Sequence, residues 1–390
     1  MSVFPSYARL IHPETTRLAL AACGCFCAGG LYGWSALIEA IQGPLGVSTA
    51  QIGLIFSWAV ISFSTAVLVA PLLPIWLTGL RGSAWLGIFG ALCLMAAAMA
   101  PDYLSFVLAF SLGFGAASGA IYINALTLAA QSARPALMTP VMVAAFGLGG
   151  AAFGPLWRVL VAEGWGLRGL LVLAGALALT SALSFLPGRR SVKVDDAPAA
   201  VEDSRPVPLL HFFLIWAIFA LSAVGGLMVL GLAAKILDHA GSSVLLASLA
   251  LGGIAVGNTL GRLSVAAVNA ALSPLGATIG ATLLTSVGLA ITTLSSSATG
   301  AAMGLCLTGL GYGATASAIP SLTGQLYGRT RFFRAFAMIF TAWGVAGLVG
   351  PWAAGAIFDR TGQFAPALSA ALAATLTATA LALLLRHRVR

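Results

Sequence analysis

Apolar runs long enough to cross a hydrocarbon core of about 30 Å follow one another along almost the whole chain, separated by short turns of Gly, Pro and charge. They fall at roughly 17–41, 51–77, 83–100, 104–130, 136–162 and 168–187, then 209–234, 243–270, 275–296, 299–324, 332–357 and 366–385. A chain with twelve such runs has one reading: an all-α polytopic membrane protein. Composition agrees, with 60% hydrophobic and 7% charged residues, where a soluble domain carries about 25% charged. A soluble enzyme of this make-up would expose far too much apolar surface.

The longest polar stretch, Gly188 to Pro208, holds Arg189, Arg190, Lys193, Asp195, Asp196, Glu202, Asp203 and Arg205 among three prolines. It reads as a linker. The expected organisation is therefore a six-helix half over 1–187, a cytoplasmic linker over 188–208 and a second half over 209–390. The halves also repeat. Leu112-Gly-Phe-Gly-Ala116 matches Leu310-Gly-Tyr-Gly-Ala314, and Gly150 to Pro155 resembles Gly347 to Pro351, at nearly one offset. Such repeats are typical of a large class of secondary transporters.

The net charge of +9 follows membrane topology and is not a nucleic-acid footprint. With both termini in the cytoplasm, that side holds Arg9, Arg17, Arg81, Arg134, Arg189, Arg190, Lys193, Arg205, Arg329, Arg331, Arg334, Arg386, Arg388 and Arg390. The outer side holds only Arg158, Arg168, Lys235 and Arg360. This bias obeys the positive-inside rule. The first apolar run exceeds the length of a signal-peptide core and is expected to stay as the first span.

One basic residue remains. Arg262 lies inside the eighth run, with Gly257, Asn258 and Gly261 before it and no acid nearby in sequence. A guanidinium in a bilayer core costs about 2.5–3.5 kcal/mol on insertion scales, so it turns toward protein or a wet cavity. One reading has it snorkel or pin a carbonyl; the other has it bind an anionic substrate. Glu39, near the outer end of the first run, is a candidate outer gate or proton site. Tyr32, Trp34, Tyr122, Phe146, Tyr312 and Trp343 sit mid-run beside small residues. Tyrosine hydroxyls around a buried arginine would suit a small carboxylate.

The glycine runs of helices 5 and 11, each ending in Gly-Pro, suit close packing and bending. Cys23, Cys25 and Cys27 lack a histidine or carboxylate to complete a metal site and read as packing residues. No catalytic set, phosphate-binding loop or ring of pore charges is present. Neither enzyme nor channel is expected, and no cofactor or metal is called for.

The layout resembles the major facilitator superfamily, and more narrowly the oxalate/formate antiporters and monocarboxylate transporters. The resemblance rests on Leu31-Tyr-Gly-Trp-Ser35, Phe146-Gly-Leu-Gly-Gly150 to Gly154-Pro155, and Gly257-Asn-Thr-Leu-Gly-Arg262. It also rests on Phe340-Thr-Ala-Trp-Gly-Val-Ala-Gly-Leu-Val-Gly-Pro351 and Phe358-Asp-Arg-Thr-Gly362. It implies alternating access around a central carboxylate site, with Arg262 as the binding cation, Tyr32, Tyr122, Phe146 and Tyr312 as an aromatic cage, and Asn258 and Trp343 beside it. Oxalate-specific members have lysine where this chain has Trp343, which implies preference for a monoanion. Proton-coupled carriers have aspartate where this chain has Asn258, which puts proton symport in doubt. The loop motif after helix 2 lacks its aspartate near Trp76, so the cytoplasmic gate would be built otherwise, with Arg81 and Arg134. The expectation is an inner-membrane carrier of small carboxylates, in contact with the lipid bilayer, with no obligate protein partner. The alternatives are an exporter of amphipathic compounds and a transporter-like sensor.

Overall fold

A computed structural model describes residues 13–37, 40–41, 49–187 and 208–389. Among them the chain is helical throughout, without a strand. Helix α1 spans Pro13–Gly29 and continues as a tighter three-residue-per-turn coil over Gly30–Leu37. Then come α2 (Thr49–Val69), α3 (Gly79–Ala98), α4 (Tyr103–Ala130), α5 (Pro135–Ala162) and α6 (Gly166–Leu183). After the linker, α7 covers Leu209–His239. The run Val244–Leu294 breaks at Ser273 (φ 68, ψ 160) into α8 (244–272) and α9 (274–294). The run Ala298–Thr361 breaks in the same way at Gly328 (φ 70, ψ 176) into α10 (298–327) and α11 (329–361). The last helix, α12, is Ala365–Val389.

Nine helical runs among the described residues are long and apolar enough to cross a membrane. Two of these runs are helix pairs, and α1 stands outside that count, so the helices number twelve. Backbone polar groups have no water to bond in a bilayer, and helices satisfy them internally.

Two expected boundaries need correction. The first helix starts at Pro13, so Glu14 belongs to its opening turn rather than to a leader. There Glu14 Oε1 accepts the Ala133 N–H at 2.7 Å, tying α1 to the α4–α5 turn. The second run does not stay helical to residue 77. α2 ends at Val69, followed by two short 3-10 turns at Ala70–Leu72 and Ile75–Leu77, because Pro71 and Pro74 remove donors and restrict the residues before them. Trp76 in this turn is exposed, and Asn124 Nδ2 of α4 donates to the Leu77 carbonyl at 3.0 Å. Residues 188–207 of the linker and Glu39 lie outside the described residues.

Packing follows one pattern in both halves. The glycines of α5 lie on α1, where a Cβ at Gly149 would collide with the Phe26 carbonyl. Gly350 of α11 stands in the same relation to the Val224 carbonyl of α7. Likewise α4 packs on α2 and α10 on α8; at Gly261 the α8 backbone meets the Leu310 carbonyl of α10 so closely that no side chain fits. The glycine runs of α5 and α11 thus serve contacts within each half and also across the seam, where Gly147 meets Arg262 and Gly344 and Gly347 meet Ser64 and Val60. Helices α3, α9 and α12 turn large apolar side chains outward, as expected of lipid-facing spans, and α6 does so too, through Leu171, Val172, Leu179 and Leu183. One buried core runs through both halves and joins them at their centre.

Candidate functional site

The centre of that core is a small cavity of about 20 Å3, room for little more than one water-sized molecule. It is lined by Tyr32 (α1), Phe63 (α2), Tyr122 (α4), Phe146 (α5), Phe219 (α7), Arg262 (α8), Tyr312 and Ala316 (α10), and Phe340 and Trp343 (α11). Each half contributes, so the cavity sits on the seam between them.

Arg262 is the charged element, with only 2% of its surface exposed. Its Nε donates to Asn258 Oδ1 one turn earlier at 3.0 Å, and Asn258 Nδ2 in turn donates to the Gly309 carbonyl of α10 at 3.4 Å. One Nη1 hydrogen goes across the seam to the Val143 carbonyl of α5 at 3.0 Å. These bonds use two of the five guanidinium N–H groups, and Arg262 is among the residues that line the cavity. Its Cζ stands 5.9 Å from the Tyr32 ring centre, within cation–π range. Tyr32 also interacts through its hydroxyl with Arg262 and with Tyr312. Among the described residues no carboxylate pairs with Arg262, so its charge is offset only by dipoles and ring faces. It does not snorkel.

The aromatic walls interlock across the seam. Phe146 meets Tyr32 edge-on at 5.0 Å and Tyr122 at 5.2 Å. Phe63 reaches Phe340 at 5.6 Å and Trp343 at 5.7 Å in the other half. Trp343 Nε1 donates to the Tyr312 hydroxyl at 2.8 Å. A small anion here would find a cation, hydroxyl donors and ring edges of positive partial charge.

The structure thus brings Tyr32, Tyr122, Phe146, Arg262, Tyr312 and Trp343 to one cavity, with Asn258 behind the arginine. Sequence reasoning missed Phe63, Phe219, Ala316 and Phe340. Phe340 stood in view, three residues before Trp343 and hence on the same helix face. Phe63 and Phe219 carry no local signal, being two of 20 phenylalanines. Trp34 stacks on Phe56 at 5.7 Å instead of lining the cavity. The two halves differ at one point of the repeat. Tyr312 lines the cavity, but its counterpart Phe114 packs on Phe110 in a π-helical stretch, Val107–Phe114, and α4 contributes Tyr122 instead. Cys25 and Cys27 are buried while Cys23 is exposed, and no group of three metal-binding side chains occurs among the described residues.

The Major Facilitator Superfamily model matches residues 18–351. The chain belongs to the major facilitator superfamily. No curated protein matches it by sequence. Among solved structures it is similar to the superfamily transporter FucP in the outward conformation (TM-score 0.72, 15% identity, covering 95% of this chain and 99% of that one). It is also similar to the human organic anion transporter TETRAN (TM-score 0.73, 16% identity, 95% and 100% covered). A third is a bacterial homologue of the iron transporter ferroportin in an outward-facing state (TM-score 0.70, 17% identity, 96% and 99% covered). At these identities the likeness is one of fold. As a member of the superfamily the chain is a multi-pass membrane transporter for a small-molecule substrate. In transporters of this kind the substrate site lies at the interface of the two repeats, which is where the Arg262 cavity lies.

Proposed function

We propose that this transporter carries small organic monoanions, monocarboxylates above all, by alternating access, and that it works by exchange or facilitated movement. The observation that carries the reading is Arg262: a buried guanidinium with no carboxylate partner among the described residues, lining an aromatic cavity between the halves. A lone buried cation of this sort is stabilised by an anion that comes and goes.

Two details narrow the class. The acceptor one turn before Arg262 is the neutral Asn258, so among the described residues no titrating partner bonded to the arginine couples substrate to a proton. The cavity offers one cation and encloses little space, which favours a compact monoanion over a dianion. The resemblance to oxalate/formate antiporters and monocarboxylate carriers supports the same class. The charge distribution supports both termini in the cytoplasm, and the compact loops and family resemblance support a bacterial inner membrane.

One observation favours a second reading. Arg262 also ties α8 to α5 through the Val143 carbonyl, a bond a purely structural arginine would make; in that case the chain would be an exporter of amphipathic compounds. Thermal stability of the detergent-solubilised protein separates the two. Mono- and dicarboxylates, inorganic anions and amphipathic drugs are tested on wild type and on Arg262→Gln. Stabilisation of wild type alone by a monocarboxylate is the expected result; equal response of both proteins, or response to amphiphiles only, overturns the proposal.

A further inference from the structure

Three polar side chains of α8, at 258, 262 and 269, recur at spacings of four and seven residues and so fall within a narrow stripe on one helix face. The first two build the site above. The third, Asn269, lies two turns further toward the α8–α9 break, about 10 Å along the helix from Arg262. It is 7% exposed, and neither its Oδ1 nor its Nδ2 has a partner among the described residues. The stripe places it on the side of α8 that carries the arginine.

A second unpartnered group belongs to the same seam. Ser317 of α10 is fully buried, and its hydroxyl is likewise without a partner. Gly313, one turn before it, abuts the Asn258 backbone, and Ala316 beside it lines the central cavity. On its other side Ala318 packs in a small buried cluster with Val265 of α8 and Ala277 of α9. Ser317 therefore occupies the α10 face between the cavity and α8, past the level of Asn258 in the direction of Asn269. Buried polar groups are almost always bonded, and a carboxamide and a hydroxyl left open along one seam are donors kept for a ligand.

We propose that Asn269 and Ser317 form a second, uncharged station for the transported carboxylate, on the path between the Arg262 cavity and the α8–α9 end of the bundle. This rests on the anion reading of Arg262. An amide N–H and a hydroxyl hold a carboxylate more weakly than a guanidinium does. The anion can thus leave the arginine in a short step and move on without being trapped.

The test uses the full-length protein, with acetate, lactate and formate as probes, reading binding by thermal shift and counterflow in proteoliposomes. Asn269→Ala removes only unbonded polar atoms, so it is expected to keep wild-type thermal stability and wild-type carboxylate affinity at Arg262. Its exchange is expected to slow roughly tenfold, as when one hydrogen bond to a charged group is lost. Asn269→Asp adds a readout that a structural role would not move. Its exchange is near wild type at low pH, where the new carboxyl is neutral, and falls as pH rises and the carboxylate repels the anion, while wild type shows no such fall. Exchange by both variants at the wild-type rate across pH overturns the station and leaves the Arg262 site standing. Failure of every carboxylate to stabilise wild type overturns the anion reading itself, and the station with it.

Discussion

Replacing Arg262 with Gln tests the site most directly, and its effect can be estimated from the bonds in place. Asn258 and Val143 hold two of the five N–H donors and the Tyr32 hydroxyl meets a third, which leaves two for an anion. A carboxylate taking both gains about 1.5–3 kcal/mol per charge-assisted bond. Losing both weakens binding by roughly a hundred- to ten-thousand-fold. The unliganded protein should suffer little. Val143 lies inside α5, whose regular ladder still serves its carbonyl, and Asn258 keeps its bond to Gly309. Removal of a buried unpaired charge offsets the bonds lost. At a ligand concentration of about 100 Kd, wild type gains about 2.7 kcal/mol of apparent stability, and the Gln variant gains nothing. Arg262→Lys keeps the charge but not the planar fork, and falls between them. Isothermal titration or thermal shift with a monocarboxylate measures the series. Gln binding as tightly as Arg would refute the reasoning, and Lys no better than Gln would show that charge is not the attraction.

Other substitutions address selectivity, coupling and strain. Trp343→Lys exchanges the partner of Tyr312 for a second cation and should shift preference from mono- to dicarboxylates in competition uptake; an unchanged order counts against the one-cation argument. Asn258→Asp places a carboxylate on the Arg262 Nε, so anion uptake should fall at neutral pH and recover as pH drops and the carboxyl takes up a proton. A pH profile as flat as wild type would contradict this. Ser273 has a backbone conformation open mainly to glycine, which costs about 1–3 kcal/mol. Ser273→Gly should raise the melting temperature, with a net gain of about 1 kcal/mol after the backbone entropy of glycine is subtracted; a lower melting temperature would show that the turn is not strained.

The spans were readable from sequence because length and the lack of charge leave a bilayer-crossing run little choice. Their ends were less so. α2 stops at Val69 through two prolines in a segment that is apolar throughout, and hydropathy does not register the difference. Arg262 stood out because a charge at that depth is costly and needs a reason. Tyr32, Tyr122, Tyr312 and Trp343 were found through the resemblance and their mid-helix positions, a route closed to Phe63 and Phe219, which look like any other core residue until the halves are brought together. The π-helical stretch in α4 had no signal in the sequence at all. It overlaps the segment, Leu112 to Ala116, that matches Leu310 to Ala314 of α10. Asn269 carries no signal in the sequence; its burial without a partner sets it apart.

The cavity as it stands is too small for a carboxylate with a side chain, so binding must move something, and the residues that would have to move are the ones that join the halves. Arg262 holds the Val143 carbonyl across the seam, and Phe63 packs against Phe340 and Trp343 across it. An anion that draws donors of the guanidinium toward itself competes with the α5 carbonyl and widens the aromatic box. Ligand free energy thereby enters the contacts that set which way the halves tilt, as a population shift requires of any ligand that drives one. With a neutral Asn258 behind the arginine, the empty site keeps a bare buried charge while the halves rearrange, and the occupied site does not. Under the proposed anion reading, that difference would favour movement of the loaded carrier over the empty one, the condition for exchange rather than net leak.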